Sequence, residues 1–408
     1  MVEISRFAPA AFPRLARVPG VSAATASCAF KSGDQRDLLL VALRPGTAVA
    51  GVFTQSTVTS AAVQSSKRSV RGGRARALVV HSGNANALTG RHGKVLVERM
   101  CQTVGDSLGC PPDEVLMAAT GIIGQRVTDE QLLGRLPDLA GDLGEVDWEQ
   151  AVEAIRTTDT FSKGSTRAFT VGDRQVSVSG IAKGAGMIAP DMATMLCFLF
   201  TDAAVEPDEL QRLLTYANAR SFRRITVDGD ESTSDTMLAF ATAHTDLAAG
   251  GDRDAALGQL REALAEVAFD LAMQVVKDGE GISKLIEVTV RGARTEGDAF
   301  AMSKAIAESP LVKTAVAGGH ANWGRIAMAI GKTHRPVDQD RLSVWLGPHQ
   351  VVVDGDQNDE LDLDALAAYM KSDSIAIAAD VAMGHESSTV WTCDLTHQYI
   401  DINAYYMT

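Results

Sequence analysis

Thr194 follows Ala193 at the end of a loop, Lys183 to Pro190, that carries glycines at 184 and 186 and a proline at 190. Two glycines and a proline in so short a stretch forbid a regular helix. Behind the threonine, Met195 to Phe200 is unbroken apolar sequence, which suits a strand buried on both faces. A hydroxyl at such a junction is held by a rigid element yet faces a loop, good geometry for a nucleophile. A cut between Ala193 and Thr194 would place a new α-amine beside that hydroxyl. An α-amine titrates near about 8, low enough to act as the general base that a bare hydroxyl lacks. The plain alternative is a β-branched residue that starts a strand, and pattern alone leaves both readings standing.

The elements that must position this junction alternate between strand and helix patterns. Leu38–Leu43 and Ala77–His81 are short apolar runs bounded by turn residues, so they read as strands. Val95, Leu96, Met100, Val104 and Leu108 recur at helical spacing. Thr128 with Gln131 forms a capping-box pattern that opens another helix, and Asp147 caps a third. Pro207 suits a first helical turn. The longest helical pattern is Leu257, Leu260, Leu264, Val267, Leu271 and Val275, and it ends at Asp278-Gly279-Glu280-Gly281. An alternating strand, Leu285–Val290, follows. A helix containing Leu361, Leu366 and Met370 precedes strands at Ser374–Ala379 and Thr389–Cys393. This interleaving predicts layered α and β elements, and no fixed-period repeat suggests a solenoid.

At 408 residues the chain exceeds one small core, so two lobes are expected. A formal net charge of −13 argues against a general nucleic-acid binder, which needs clustered lysine and arginine. The five cysteines, Cys28, Cys101, Cys110, Cys197 and Cys393, are odd in number and form no C-x-x-C pair. That fits a reduced protein better than a disulfide framework or a zinc site. The histidines show no H-E-x-x-H spacing. Met1 to Leu15 lacks the apolar run of a signal peptide, and no stretch approaches a membrane span. A cytoplasmic protein without metal or bound cofactor is the expectation.

The segment K-G-A-G-M-I-A-P-D-M-A-T-M-L from Lys183 closely resembles the self-cleavage signature of the ornithine acetyltransferase (glutamate N-acetyltransferase) family. Further blocks in the same order are S-G-N-A-N-A-L-T-G from Ser82, A-T-G-I-I-G from Ala119, T-T-D-T from Thr157 and V-D-G-D-E-S-T-S-D-T from Val227. D-G-E-G from Asp278, S-P-L-V-K-T-A from Ser309, A-N-W-G-R from Ala321 and Ile402-Asn403-Ala404 complete them, so the resemblance spans essentially the whole chain.

The resemblance implies an α+β fold, a layered αββα-type sandwich in which two fragments, residues 1–193 and 194–408, co-fold after self-cleavage between Ala193 and Thr194. It implies that Thr194 is the nucleophile and that Thr120 and Gly121 form the oxyanion hole, with Glu280 also at the catalytic centre. The implied substrate-binding set is Thr157, Lys183, Thr194, Glu280, Asn403 and Thr408. The chemistry is consistent: Lys183 can answer a substrate carboxylate and Glu280 an ammonium group. Taken singly, Thr120-Gly121 would read as an ordinary turn, Lys183 as a solvated loop lysine and Glu280 as a solvated turn carboxylate.

The implied reaction moves acetyl from N-acetylornithine to glutamate by ping-pong transfer through Thr194, within arginine biosynthesis. Acetyl-CoA is an alternative donor that would make the enzyme bifunctional. The implied assembly pairs two α and two β chains in a heterotetramer. Departures from the family pattern are Asp191, His320, Tyr405 and Met407, and the C-terminal ones bear on the preferred acceptor.

Other readings compete. Gly331-Lys332-Thr333 resembles part of a phosphate loop, but six residues rather than four separate it from Gly324. A surface turn after Ile326–Ile330 fits better. Lys183–Gly186 lacks the third glycine and the preceding strand of a dinucleotide fingerprint. An N-terminal-nucleophile aminopeptidase or amidase would share the same machinery and resolve the acyl-enzyme with water. A degenerate, non-catalytic binding protein would not need Thr120, Gly121, Lys183, Thr194 and Glu280 intact.

Overall fold

A computed structural model describes residues 3–31, 35–189 and 195–405. The chain forms two compact units. The larger comprises Pro9–Arg223 and Asp230–Val275; the smaller comprises Arg224–Gly229, Val276 onward and the N-terminal residues up to Ala8. Two lobes are thus present, but their boundaries do not follow the 193/194 division.

The larger unit begins with β1 (Val21–Ala26), β2 (Leu38–Leu43), β3 (Ala48–Phe53), α1 (Ala61–Ser69), β4 (Ala77–Asn84), α2 (Gly90–Leu108) and β5 (Val115–Ile122). Short helices α3 (Asp129–Leu133), α4 (Leu136–Gly141) and α5 (Trp148–Ile155) lead to β6 (Lys163–Val171), β7 (Arg174–Lys183) and β8 (Leu196–Ala204). The unit ends with α6 (Pro207–Arg220), β9 (Thr236–Asp246) and α7 (Arg253–Lys277), whose last two residues belong to the smaller unit. One sheet has the order β1-β2-β4-β5 and the second β3-β9-β8-β7-β6. β7 and β8 are antiparallel neighbours with Lys183 opposite Leu196, so a cut at 193/194 would fall between paired strands of one sheet.

Strand alternation builds the layers. Leu39, Val41, Leu78 and Val80 from the first sheet meet Leu196, Phe198, Phe200 and Phe240 from the second in one buried core. Phe200 stacks on Phe240 at 5.2 Å and tilts against Trp148 of α5 at 5.3 Å. The alternate residues Leu38, Leu40, Ala77 and Val79 face outward under α1 to α4. On the other side α7 covers the second sheet: the Gly180 Cα lies so close to Val267 and Leu271 that an added Cβ would sit 2.9 Å from each. Gln274 brackets Gly164 through both backbone groups. The result is helix, sheet, sheet, helix, as the resemblance implies.

Two local expectations are corrected. Val95 is exposed while Leu96, Met100 and Val104 are buried, because the face of α2 that meets the sheet is narrower than the apolar pattern. Thr128 precedes α3, but its hydroxyl bonds the Gln131 side chain rather than a backbone N–H, so no capping box closes. Asp147 does cap α5, accepting from Gln150 N at 3.1 Å.

The smaller unit contains β10 (Leu285–Ala293), α8 (Glu296–Ala307), α9 (Pro310–Ala317), α10 (Trp323–Gly331), β11 (Ser343–Leu346), β12 (His349–Val353) and β13 (Asp356–Gln357). α11 (Leu363–Tyr369), β14 (Ser374–Asp380), β15 (Glu386–Cys393) and α12 (His397–Tyr405) complete it. Its sheet runs β13-β12-β11-β14-β10-β15. Ile286, Val288 and Val290 pack with Met302, Ile306 and Ile330 on the inner face, while Thr289 and Thr389 pair hydroxyls on the other. Ser309 and Asn322 cap α9 and α10, so two of the sequence blocks serve as helix starts. Gly331-Lys332-Thr333 closes α10 in a turn.

Candidate active site

In the larger unit, β4 and β5 run parallel with Ser82 opposite Thr120 and Gly83 opposite Gly121. At Gly121 φ is +123°, and an added Cβ would stand 2.3 Å from the Gly83 carbonyl carbon. Only glycine allows the two strand ends to approach this closely. Thr120-Gly121 is therefore a strand terminus, not an ordinary turn. Asn84, where the register breaks, ties its side chain to Asn86 N and Gln125 O.

Thr120 and Lys183 are both buried, and the Lys183 ammonium donates to the Thr120 hydroxyl oxygen at 3.1 Å. Lys183 is the last residue of β7, which corrects two expectations. It is not a solvated loop lysine, and a strand does precede the glycine loop. The next element is the antiparallel β8, not the helix that a dinucleotide site requires. With its oxygen occupied by a cation, the Thr120 hydroxyl is polarised and its proton is left to donate. That is the property an oxyanion stabiliser needs.

Asp159 organises the neighbouring turn. Its Oδ1 accepts from Lys163 Nζ and from Gly184 N, each at 2.7 Å, and its Oδ2 accepts from Thr157 N at 3.1 Å. The carboxylate thus joins two features of the sequence reading, Thr157 and the residue after Lys183, and ties both to Lys163 at the start of β6. Burial would raise the Asp159 carboxyl, but Lys163, Lys183 and the Gly184 N–H overcome it and hold it below the usual carboxylate range.

β8 begins one residue after Met195, whose N–H donates to Asp235 Oδ1 at 3.0 Å. Burial pushes the Asp235 carboxyl well above its ordinary range, against the pull of the Met195 N–H, Lys183 and the Ser232 N–H. Sequence reasoning did not single out Asp159, Lys163 or Asp235. Two of them stand in the quoted T-T-D-T and V-D-G-D-E-S-T-S-D-T blocks, where an acid among small hydroxyl residues was the available signal.

In the smaller unit, Glu280 is half-buried in the turn after α7, and its Oε2 accepts from Asn403 Nδ2 of α12 at 2.8 Å. Two members of the expected substrate set are therefore paired with each other. Gly281, at φ +69°, lets the turn press against Gln398 and Tyr399, where a Cβ would stand 2.7 Å from both. Tyr399 in turn donates to Asp228 at 3.2 Å. Ala193, Thr194 and Thr408 lie outside the described residues, as do Asp191 and Met407.

The family described as the ArgJ family matches residues 22–408 of the chain. A Mesorhizobium japonicum protein named Arginine biosynthesis bifunctional protein ArgJ is 46% identical over 408 residues, covering 99% of this chain and 98% of that protein. A Zymomonas mobilis protein of the same name is 45% identical, covering 100% and 99%. The chain belongs to the ArgJ family.

Proposed function

We propose that the protein transfers acetyl from N-acetylornithine to glutamate in arginine biosynthesis, through an acetyl ester on Thr194. Beside family membership, the observation that carries this reading is the buried Lys183–Thr120 contact at 3.1 Å, a polarised donor suited to tetrahedral oxyanions.

Maturation comes first. The Thr194 hydroxyl adds to the Ala193 carbonyl, the C–N bond breaks, and the hydroxyl proton passes to the released amine. Water then hydrolyses the resulting ester and restores the hydroxyl. In transfer, the same oxygen attacks the acetyl carbon of the donor, and its proton travels by way of the α-amine to departing ornithine. Glutamate's amine then attacks the ester, and the threonine oxygen recovers a proton as the C–O bond breaks. Thr120 and Gly121 stabilise each oxyanion. Thr157, Lys183, Glu280, Asn403 and Thr408 hold the substrate's charged ends. Acetyl-CoA serves as a second donor, which makes the enzyme bifunctional, and the two fragments assemble as an α2β2 heterotetramer in the cytoplasm.

Denaturing mass spectrometry of the purified protein is expected to find residues 1–193 and 194–408 as separate chains. Incubation with N-acetylornithine should add one acetyl mass to the second. Thr194→Ala should stay whole and inactive. Parallel lines in double-reciprocal plots, with N-acetylornithine and with acetyl-CoA as donor, mark the ping-pong course. An intact chain that turns over glutamate would overturn the mechanism, and acetate release without transfer would favour the amidase reading.

A further inference from the structure

Lys313 lies in α9 of the smaller unit and is fully buried, yet among the described residues no carboxylate meets it in ion-pair contact. Lys163 is fully buried too, but it has the Asp159 carboxylate at 2.7 Å. The Lys313 ammonium donates instead to two neutral oxygens at the end of β15, the Thr392 hydroxyl at 3.0 Å and the Cys393 carbonyl. The Cys393 sulfur, 4.0 Å away, supplies no anion, because burial pushes its thiol up to about 11 against the pull of Lys313. Taking an ammonium out of water without a counter-ion is costly, so its retention asks for a reason.

The strand end that it holds supplies one. Residues 393–396 form the floor of the turn that carries Glu280. The Cys393 sulfur presses on Gly279, where an added Cβ would stand 2.9 Å from it. Thr396 donates its hydroxyl to the Gly281 carbonyl. Both chain neighbours of Glu280 are thus seated on this segment. Asp394 secures the end of the turn, accepting from Ser283 N at 2.8 Å and Lys284 N at 3.0 Å. Lys284 then closes the frame from the other side, donating to the Val316 carbonyl of α9 at 2.9 Å. Helix, strand end and turn are joined in a ring by two ammonium groups. Hydrogen bonds from a charged donor are roughly twice as strong as neutral ones, which suits them to fixing a backbone.

We propose that Lys313 is a positioning residue for Glu280: its ammonium fixes the end of β15 and, through Cys393, the turn from which the Glu280 carboxylate meets the substrate's amino group. This rests on the reading of Glu280 as the carboxylate that holds that group. Lys313 itself touches no substrate, and its effect passes through the backbone beside Glu280.

The test uses the full chain with Lys313→Met, Glu280→Gln and the two together, assayed for acetyl transfer from N-acetylornithine to glutamate. Methionine keeps most of the length and the apolar stem of lysine and removes the donor. Glu280→Gln should lower kcat/KM for N-acetylornithine about thirtyfold or more, and Lys313→Met about fivefold or more, with kcat held within about threefold in the lysine variant. The double variant should stay within about threefold of Glu280→Gln, because residues that act as one unit are not additive. A lysine that only held the fold together would instead multiply the two losses. A folded Lys313→Met chain that loses less than fivefold would overturn the proposal, as would a double variant whose losses multiply. If Lys313→Met does not fold, Thr392→Val takes its place. It leaves the charge buried, removes the hydroxyl acceptor, and should lower kcat/KM about threefold or more, but not further in the Glu280→Gln background. A smaller loss there overturns the proposal. Native kinetics in Glu280→Gln would overturn the reading of Glu280 and this proposal with it. An impaired Glu280→Gln beside an unimpaired Lys313→Met overturns only the role of Lys313.

Discussion

Asp159 and Asp235 are both buried carboxyls of the larger unit, and they bound the same stretch of chain. One holds Gly184 N and the other Met195 N. Their surroundings differ in one respect. Both oxygens of Asp159 have donors, among them the Lys163 ammonium, whereas the Asp235 carboxyl is answered by backbone N–H groups and by no cation in hydrogen-bond contact among the described residues. Burial pushes both upward. Lys163 and Lys183 reverse the shift at Asp159, and the more modest pull on Asp235 leaves it raised. Equal burial therefore leaves one carboxyl lowered and the other raised, and the supply of cations decides which.

The largest test of this contrast is Asp159→Ala. It strips the carboxylate from the fully buried Lys163, and removing one member of a buried pair costs about 3–5 kcal/mol. In a Thr194→Ala background, where every sample is the uncut chain, the urea midpoint should fall accordingly. A loss below about 1 kcal/mol would mean that Asp159 is not the electrostatic anchor of the turn.

A second test turns on the sign of the pH dependence. The Asp159 carboxyl is lowered in the folded chain, so its contribution is present above the unfolded value near about 4 and is lost as pH falls through the folded one. The raised Asp235 contributes in the reverse sense: fully below about 4, and progressively less as pH rises through its folded value. In the uncut background, Asp159→Asn should be destabilised at pH 7, with the gap to the parent closing in acid. Asp235→Asn should match or exceed its parent at pH 8, since the amide carries no charge that burial can penalise. Unfolding curves carried from about pH 2 to pH 8 read both. Parallel curves for the two variants would dissolve the distinction between the aspartates.

Much of the scaffold was legible because it rests on periodicity. Leu38–Leu43 is a strand with the bounds expected, and the Leu260, Leu264, Val267, Leu271 spacing marks a long helix that buries all four. The junction before β8 was legible from its glycines and apolar run. The partners of the site were less so. Lys183 gains its meaning from Thr120, 63 residues earlier, and Met195 from Asp235, 40 residues later. The first pairing joins strands of two different sheets, β5 and β7, and the second comes from sheet neighbours, β8 beside β9; local sequence encodes neither which sheets meet nor which strands become neighbours. β1, β3, β6 and β9 escaped for a related reason. Their alanines, glycines and threonines carry weak alternation, and the partner strands hold them in place.

The smallest expected effect isolates burial from charge. Arg253 Nη2 meets Glu209 at 2.6 Å at the start of α7, with the arginine side chain 40% exposed. The hydrogen bond from Arg253 lowers the Glu209 carboxyl, against an opposing push from burial. The direction is that of Asp159, yet here the arginine is open to water, which screens the pair. Exposed pairs of this kind contribute about 0.2–1 kcal/mol, and the lowered carboxyl makes that contribution present above about pH 4 and lost below it. Arg253→Ala should therefore cost under about 1 kcal/mol at low salt. Raising the salt to about 1 M, where the screening length is about 3 Å, should erase most of the difference. The Asp159→Ala deficit should persist through the same titration, since its ions lie out of reach of salt. If the two deficits faded together, the Asp159 pair would be solvated like its surface counterpart, and its lowered carboxyl would no longer distinguish it from Glu209.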